Sequence, residues 1–273
     1  MTVIIFFILG LIIGSFLNAV VYRLRVAESI AHGRSKCPQC QKQIDWYDNV
    51  PLLSFILLKG QCRNCRKKIS YQYPLVEFFT GLVFALVGWK FFVMADLATW
   101  NVTGYYLVIA AFLMAIFVYD FLYMEIPEIV LWPAIAVAVF FNLYFDWIRV
   151  EGIGGQGGIG IFDSQVYSGT LAAFAAFMIF FLMVAVSREK WMGMGDALLV
   201  ILLGLILGWP QIWLALFLAF AIGAIYGLVL IALKKKNLQS RVPFAPFLIL
   251  GTFISLLFYA QLVGWYFGLF TSF

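Results

Sequence analysis

Two aspartates and four cysteines are the residues of this chain whose types and spacing could do chemistry. Asp120 closes an apolar run in Tyr119-Asp120-Phe121-Leu122-Tyr123-Met124-Glu125-Ile126-Pro127-Glu128, and Asp196 opens another in Met192-Gly193-Met194-Gly195-Asp196. An acid at the edge of an apolar segment costs free energy unless it has a partner or a task. Two such carboxylates brought together share one proton, and the ionised one can then activate water while the neutral one polarises a peptide carbonyl. That is the chemistry of an aspartic peptidase. Gly193 and Gly195 lack Cβ atoms, so they would let the backbone turn tightly about Met194 and let another chain approach. The competing explanation for Asp196 is a helix N-terminus, where a carboxylate satisfies free N–H groups and suits the dipole. Asp120 has no such excuse, because a helix C-terminus repels negative charge.

The cysteines stand as Cys37-Pro38-Gln39-Cys40 and Cys62-Arg63-Asn64-Cys65, with 21 residues between the pairs. Two short turns of this kind can aim four sulfurs at one tetrahedral zinc ion about 2.3 Å away. A pair of disulfides would need an oxidising compartment, which the charge pattern below disfavours, and a redox C-x-x-C lacks its usual βαβ setting. As a structural ion, zinc would hold together a segment too small for a core of its own.

The elements that must position these groups are membrane helices. Of the 273 residues 64% are hydrophobic and only 11% are charged, more apolar surface than a water-soluble domain can bury. Strand-length alternating segments are missing, which argues against a β-barrel. Apolar runs long enough for spans lie at about 2–22, 75–95, 104–120, 128–148, 166–187, 195–209, 212–233 and 244–266, the sixth being short. The expected fold is thus an all-α polytopic membrane protein of about eight transmembrane helices. A small cytoplasmic zinc-ribbon-like domain sits between helices 1 and 2. The expected division is 1–22 as first helix, 23–74 as a zinc-binding domain of four cysteines and 75–273 as helical peptidase domain.

Sixteen of the 18 Lys and Arg fall in 23–74, 188–194 and 234–243. By the positive-inside rule those segments face the cytoplasm, and both termini lie outside. The net charge of +5 reads as orientation plus attraction to anionic lipid, with no nucleic-acid partner. The first run has no basic n-region and no small-residue cleavage site, so it is expected to stay as a helix. No helical repeat of fixed period is apparent.

Other catalytic plans fail on residue type. The only histidine is His32, which removes a membrane Ser-His pair and an H-E-x-x-H metal site. A metal held by the acids alone would leave the Gly-x-Gly-Asp turn unexplained. The run Gly152-Ile153-Gly154-Gly155-Gln156-Gly157 matches a dinucleotide fingerprint only formally, with no preceding strand, and reads as a flexible linker. Glu125 and Glu128 are expected to face headgroups or water.

The residues together resemble those of the bacterial type IV prepilin peptidases. The likeness rests on Gly14-Ser15-Phe16-Leu17-Asn18 with Tyr22-Arg23, the two C-x-x-C pairs, and Tyr73-Pro74-Leu75-Val76-Glu77 with Gly81. It continues through Asp120 with Ile126-Pro127, Gly193-Met194-Gly195-Asp196, and Pro243-Phe244-Ala245-Pro246-Phe247. The resemblance implies an enzyme of the bacterial inner membrane in which Asp120 and Asp196 cut prepilins or pseudopilins of type IV pilus or type II secretion systems. Cleavage would fall on the cytoplasmic side, after a short basic leader. It also implies N-methylation of the new N-terminus with S-adenosylmethionine, supplied by the zinc-bearing loop and the start of the second span.

Methyl transfer from a sulfonium to a neutral amine asks for positioning, a carboxylate near the amine and exclusion of water. Glu77 with Gly81 is the first candidate, followed by Asn18 and Arg23. Gly81 also suits close helix packing, and Glu77 a helix N-terminus. Two positions depart from the family pattern: Ala197 stands where a lysine is usual, and Ala245 where a glycine is. A peptidase without methyl transfer, and a transporter using the aspartates as a proton relay, remain as alternatives. The sequence carries no sign of oligomeric state.

Overall fold

A computed structural model describes residues 2–30, 33, 35–94, 96–150, 164–233 and 242–271. His32, Arg34, the glycine-rich run 152–157, Lys234–Lys236 and Arg241 lie outside the described residues. The chain folds into α1 (Thr2–Arg25), α2 (Leu53–Leu57), α3 (Gln72–Phe91), α4 (Leu97–Tyr123), α5 (Glu128–Val150), α6 (Gln165–Ser187), α7 (Met194–Leu207), α8 (Gln211–Ala232) and α9 (Ala245–Thr271). Among the described residues seven helices are long and apolar enough to cross a membrane. The eighth expected span is α7, which at 14 residues rises about 21 Å, short of a hydrocarbon core of about 30 Å. The protein is a multi-pass membrane protein.

Contacts divide the chain into two compact units, Met1–Val118 and Tyr119–Phe273. This break differs from the 74/75 boundary suggested by charge and hydropathy, because α3 packs along α1 rather than with the later spans. The α1–α3 contact runs through Gly10-Leu11-Ile12-Ile13-Gly14. A Cβ on Gly10 would stand 2.7 Å from the Gly81 Cα, and one on Gly14 would stand 2.8 Å from the Glu77 Cα. Such G-x-x-x-G spacing lets two backbones touch where no hydrophobic force drives helices together.

In the second unit α7 packs against α5, α6, α8 and α9. Ala197, Leu199, Val200, Leu202 and Leu203 have no exposed surface. A helix apolar on every face belongs at the centre of a bundle. Gly204 faces Ala172 and Ala173 of α6, and Gly208 faces Ser168, whose hydroxyl accepts the Trp209 N–H at 2.8 Å. Asn142 of α5 donates its side-chain amide to the Leu205 carbonyl at 2.9 Å.

Candidate active sites and metal centre

In the first unit the polar segment between α1 and α3 folds as two knuckles. The Cys37 N–H donates to the Lys42 carbonyl at 3.0 Å and the Gln41 N–H to the Cys37 carbonyl at 2.8 Å. The Cys62 N–H meets Lys67 and the Arg66 N–H meets Cys62, each at 2.9 Å. Each knuckle has one antiparallel bridge, Lys36 to Gln43 and Gln61 to Lys68, so the ribbon expected from sequence is reduced to two turns without strands among the described residues. The residue after each second cysteine, Gln41 or Arg66, takes a positive φ of 58° or 56°. The two knuckles are copies 25 positions apart: Ser35-Lys36-Cys37-Pro38-Gln39-Cys40-Gln41-Lys42-Gln43-Ile44 lies over Gly60-Gln61-Cys62-Arg63-Asn64-Cys65-Arg66-Lys67-Lys68-Ile69. The contacts between them reciprocate, Lys42 to Asn64 at 3.1 Å and Lys67 to Gln39 at 3.2 Å.

All four sulfurs lie within 4.8 Å of one another, and those of Cys37 and Cys65 are 4.0 Å apart. Tetrahedral Zn–S bonds of about 2.3 Å place sulfurs about 3.8 Å apart, so the donor set fits zinc. The Lys42 backbone N–H and the Asn64 amide bring the Cys40 thiol down to about 6. The N–H groups of Cys65 and Asn64 lower Cys62. Cys65 goes the other way: although the Lys67 N–H opposes it, desolvation and its three sulfur neighbours push it up to about 11. Four thiols this close cannot all ionise without a cation between them.

Above the knuckles lies a cavity of about 560 Å³, within the range of small-molecule sites. Asn18, Arg23 and Glu77 all line it, with Ser15, Tyr22 and Asp48. The Asn18 amide nitrogen donates to the Tyr73 carbonyl at 3.1 Å, while its Oδ1 is buried without a partner among the described residues. Arg23 donates to the carbonyls of Ile30 and Gly33 at 2.9 and 2.7 Å, and so holds the start of the loop. Glu77 is buried and accepts the Leu52 N–H at 2.8 Å and the Ser15 hydroxyl. Gly81 does not line the cavity. It faces Phe7 and Leu11 of α1, the packing role open to it from sequence.

In the second unit the two aspartates come together. Asp120 sits in the last turn of α4 and is 5% exposed. It accepts the Ala245 N–H at the first residue of α9, and its Oδ2 is without a hydrogen-bond partner among the described residues. The free N–H groups of α9 thus supply the positive dipole end that α4 denies it. Phe244 pins that turn by packing its ring on Phe220 and Phe180, centroids 5.1 and 6.4 Å away. Asp196 is the third residue of α7 and accepts the Gly193 N–H, half of a capping box. Its carboxylate is close enough to that of Asp120 for the charges to repel.

Gly193 and Gly195 do not form the tight turn that their lack of Cβ allowed. Gly193 is extended, with φ of −80°, and the positive φ values fall at Arg188 and Glu189, 48° and 61°. Gly195 instead admits Ile126, whose side chain would lie 3.3 Å from a Cβ. Glu125 and Glu128 are exposed, as expected. Sequence reasoning missed Ser15, Leu52 and the Ala245 N–H. Backbone donors have no residue signature, but Pro51 and the apolar run after it were a visible signal for the loop that carries Leu52.

Residues 8–91 match the bacterial peptidase A24 N-terminal domain, and residues 107–228 match the type IV leader peptidase family. The chain is 31% identical to a prepilin leader peptidase/N-methyltransferase of Aeromonas salmonicida, over 95% of this chain and 92% of the relative. The chain belongs to the type IV leader peptidase family. A Bacillus subtilis family member of the same description is 30% identical over 96% of both chains, and one from Stutzerimonas stutzeri is 27% identical over 95% and 91%. No solved structure matches the chain. Family membership makes the protein a membrane peptidase, and the two matched segments fall on the two sites just described: the cysteines, cavity and Glu77 in the first, Asp120 and Asp196 in the second.

Proposed function

We propose that the chain removes the leader from type IV prepilins or pseudopilins with Asp120 and Asp196, and then N-methylates the new N-terminus in the cavity of the first unit. The observation that carries the peptidase reading is the meeting of two carboxylates, each with a helix N-terminal N–H and neither with a cation within ion-pair distance among the described residues. Such a pair holds one proton between two oxygens. The ionised carboxylate takes a proton from water as it attacks the scissile carbonyl. The protonated one donates a hydrogen bond to the carbonyl oxygen, and the proton then passes to the leaving amine. Ala197, where a lysine is usual in the family, is fully buried and brings no ammonium to Asp196. The substrate's apolar segment stays in the bilayer with its basic leader at the cytoplasmic face, and the positive-inside pattern supports the same side for the knuckles and the aspartates.

Methyl transfer is supported by the cavity volume, the buried Asn18 Oδ1, which has no partner among the described residues, and the buried Glu77 carboxylate. S-adenosylmethionine, when bound, supplies an electrophilic methyl on a sulfonium. Glu77 favours a cationic neighbour and orients the attacking amine, Asn18 offers a buried acceptor, and Arg23 fixes the loop that closes one end. Zinc held by Cys37, Cys40, Cys62 and Cys65 keeps the cavity floor folded.

The test is the intact mass of a model prepilin incubated with purified protein, with and without S-adenosylmethionine. Loss of the leader, plus a gain of about 14 Da only with donor, supports both activities. Cleavage without that gain leaves a peptidase alone. An uncut cognate prepilin with folded enzyme overturns the proposal.

A further inference from the structure

The segment between the knuckles carries an apolar run that neither site uses fully: Val50-Pro51-Leu52-Leu53-Ser54-Phe55-Ile56-Leu57-Leu58. It contains α2, and α2 has two faces. Leu52, Ser54, Phe55 and Leu58 line the cavity. Leu53, Ile56 and Leu57 face away from the protein, the last two 69% and 71% exposed. Spacing i, i+3, i+4 puts these three on one stripe.

Bonds to the spanning helices fix the depth of this stripe. The Leu52 N–H reaches Glu77 Oε2 at 2.8 Å, and Gly14 lies against the Glu77 Cα, so Leu52, Glu77 and Gly14 share one level. Near that level the outward side chains of α1 and α3 are Phe16, Leu75, Phe78 and Phe79, all exposed and all within membrane spans. The protein surface there is a lipid-facing one. At its border the exposed Lys59 lies two residues past α2 and adjoins Gly60, which accepts the Ile69 N–H. The exposed Tyr71 packs its ring on Phe55, centroids 5.6 Å apart. Aliphatic surface edged by a lysine and a tyrosine is the composition of a bilayer interface with anionic lipid.

We propose that α2 is seated in the boundary between headgroups and hydrocarbon of an anionic membrane, with Leu53, Ile56 and Leu57 in lipid, and that it forms the partition between the bilayer and the cavity. Its consequence for methyl transfer rests on the function proposed above; the lipid seat does not. A membrane-inserted acceptor would meet the cavity across α2 rather than through bulk water.

The experiment places a fluorescent amino acid at Ile56 of the full, zinc-loaded chain in vesicles of phosphatidylcholine and phosphatidylglycerol. Quenching by shallow doxyl-labelled lipid is compared with quenching by aqueous iodide, and the exposed Arg66 serves as the knuckle control. The expected result is several-fold stronger doxyl quenching at position 56 than at 66, with the iodide order reversed. Equal iodide quenching at both positions, with none by doxyl lipid, would overturn the seat. The variant I56D/L57D changes no cavity residue. It should keep its zinc and its leader cleavage but raise the KM for methylating a membrane-inserted acceptor, and an unchanged KM would overturn the partition. If the wild-type chain transfers no methyl group at all, the proposed function fails while the quenching still decides the seat.

Discussion

The metal knuckles and the aspartate pair are built in opposite ways. Each knuckle brings two ligands together within four residues by one turn, held by its own backbone bonds, and two copies complete the site. The aspartates are 76 positions apart in the chain. They meet only because α4, α7 and α9 pack so that one N-terminus caps Asp120 and another caps Asp196. A site made of turns stands or falls with its ligands and its ion. A site made of packed helices is sensitive to a remote methyl group as well as to its own carboxylates.

The first way to break this contrast is Asp120→Asn or Asp196→Asn. Leader cleavage should fall by roughly 10³-fold or more, because neither an amide nor a lone carboxylate can do both proton transfers. Methylation of a peptide already cut should persist, as the mass of the product N-terminus would show.

Zinc removal is the converse. Cys62→Ser, or chelation of the wild-type protein, should cost methyl transfer about 10- to 100-fold and leave cleavage within a small factor. Metal analysis alongside both assays checks this, and equal loss of the two activities would erase the distinction between the sites.

Gly204→Val tests the packed site from a distance. A Cβ there falls onto the Ala173 backbone, and overpacking of this kind costs roughly 1–3 kcal/mol or more. Thermal unfolding in detergent should shift down, with cleavage impaired and zinc content unchanged.

The smallest effect sharpens the knuckles themselves. In the metal-free protein at pH 7, Cys40, with its thiol at about 6, is ionised, while Cys65, at about 11, is not. Iodoacetamide should therefore label Cys40 first and Cys65 last, which peptide mapping resolves. The lead of Cys40 should fade as pH falls through about 6 and its thiolate takes up a proton.

What could be read from the chain follows the same contrast. Cys37, Cys40, Cys62 and Cys65 declare a metal site because local spacing is all that the geometry needs. Apolar runs declare spans because a bilayer imposes a length. Asp120 and Asp196 stand out as costly residues, yet their meeting depends on helix packing that no spacing encodes, and the Ala245 N–H that serves Asp120 is a backbone group present at nearly every residue. Gly81 reads equally well as site or as packing until Phe7 and Leu11 are seen against it. The apolar stretch around α2 is visible inside the polar block, but what its two faces meet has no residue signature, and the 25-residue copy is masked by divergence at most positions outside the cysteines.

The short central helix has one more consequence, for permeability. In the mechanism proposed above water must reach Asp196, so the bundle must be indented and wet at the N-terminal end of α7. An energised membrane cannot tolerate that indentation becoming a pore. Beyond Asp196 the rest of α7, from Ala197 to Leu207, is apolar, and Leu199, Leu202 and Leu203 have no exposed surface. That stretch rises about 16 Å and has Gly204 pressed onto α6 with no room for solvent. The same helix that delivers a carboxylate to water at one end is the dry plug that keeps protons from following it through at the other.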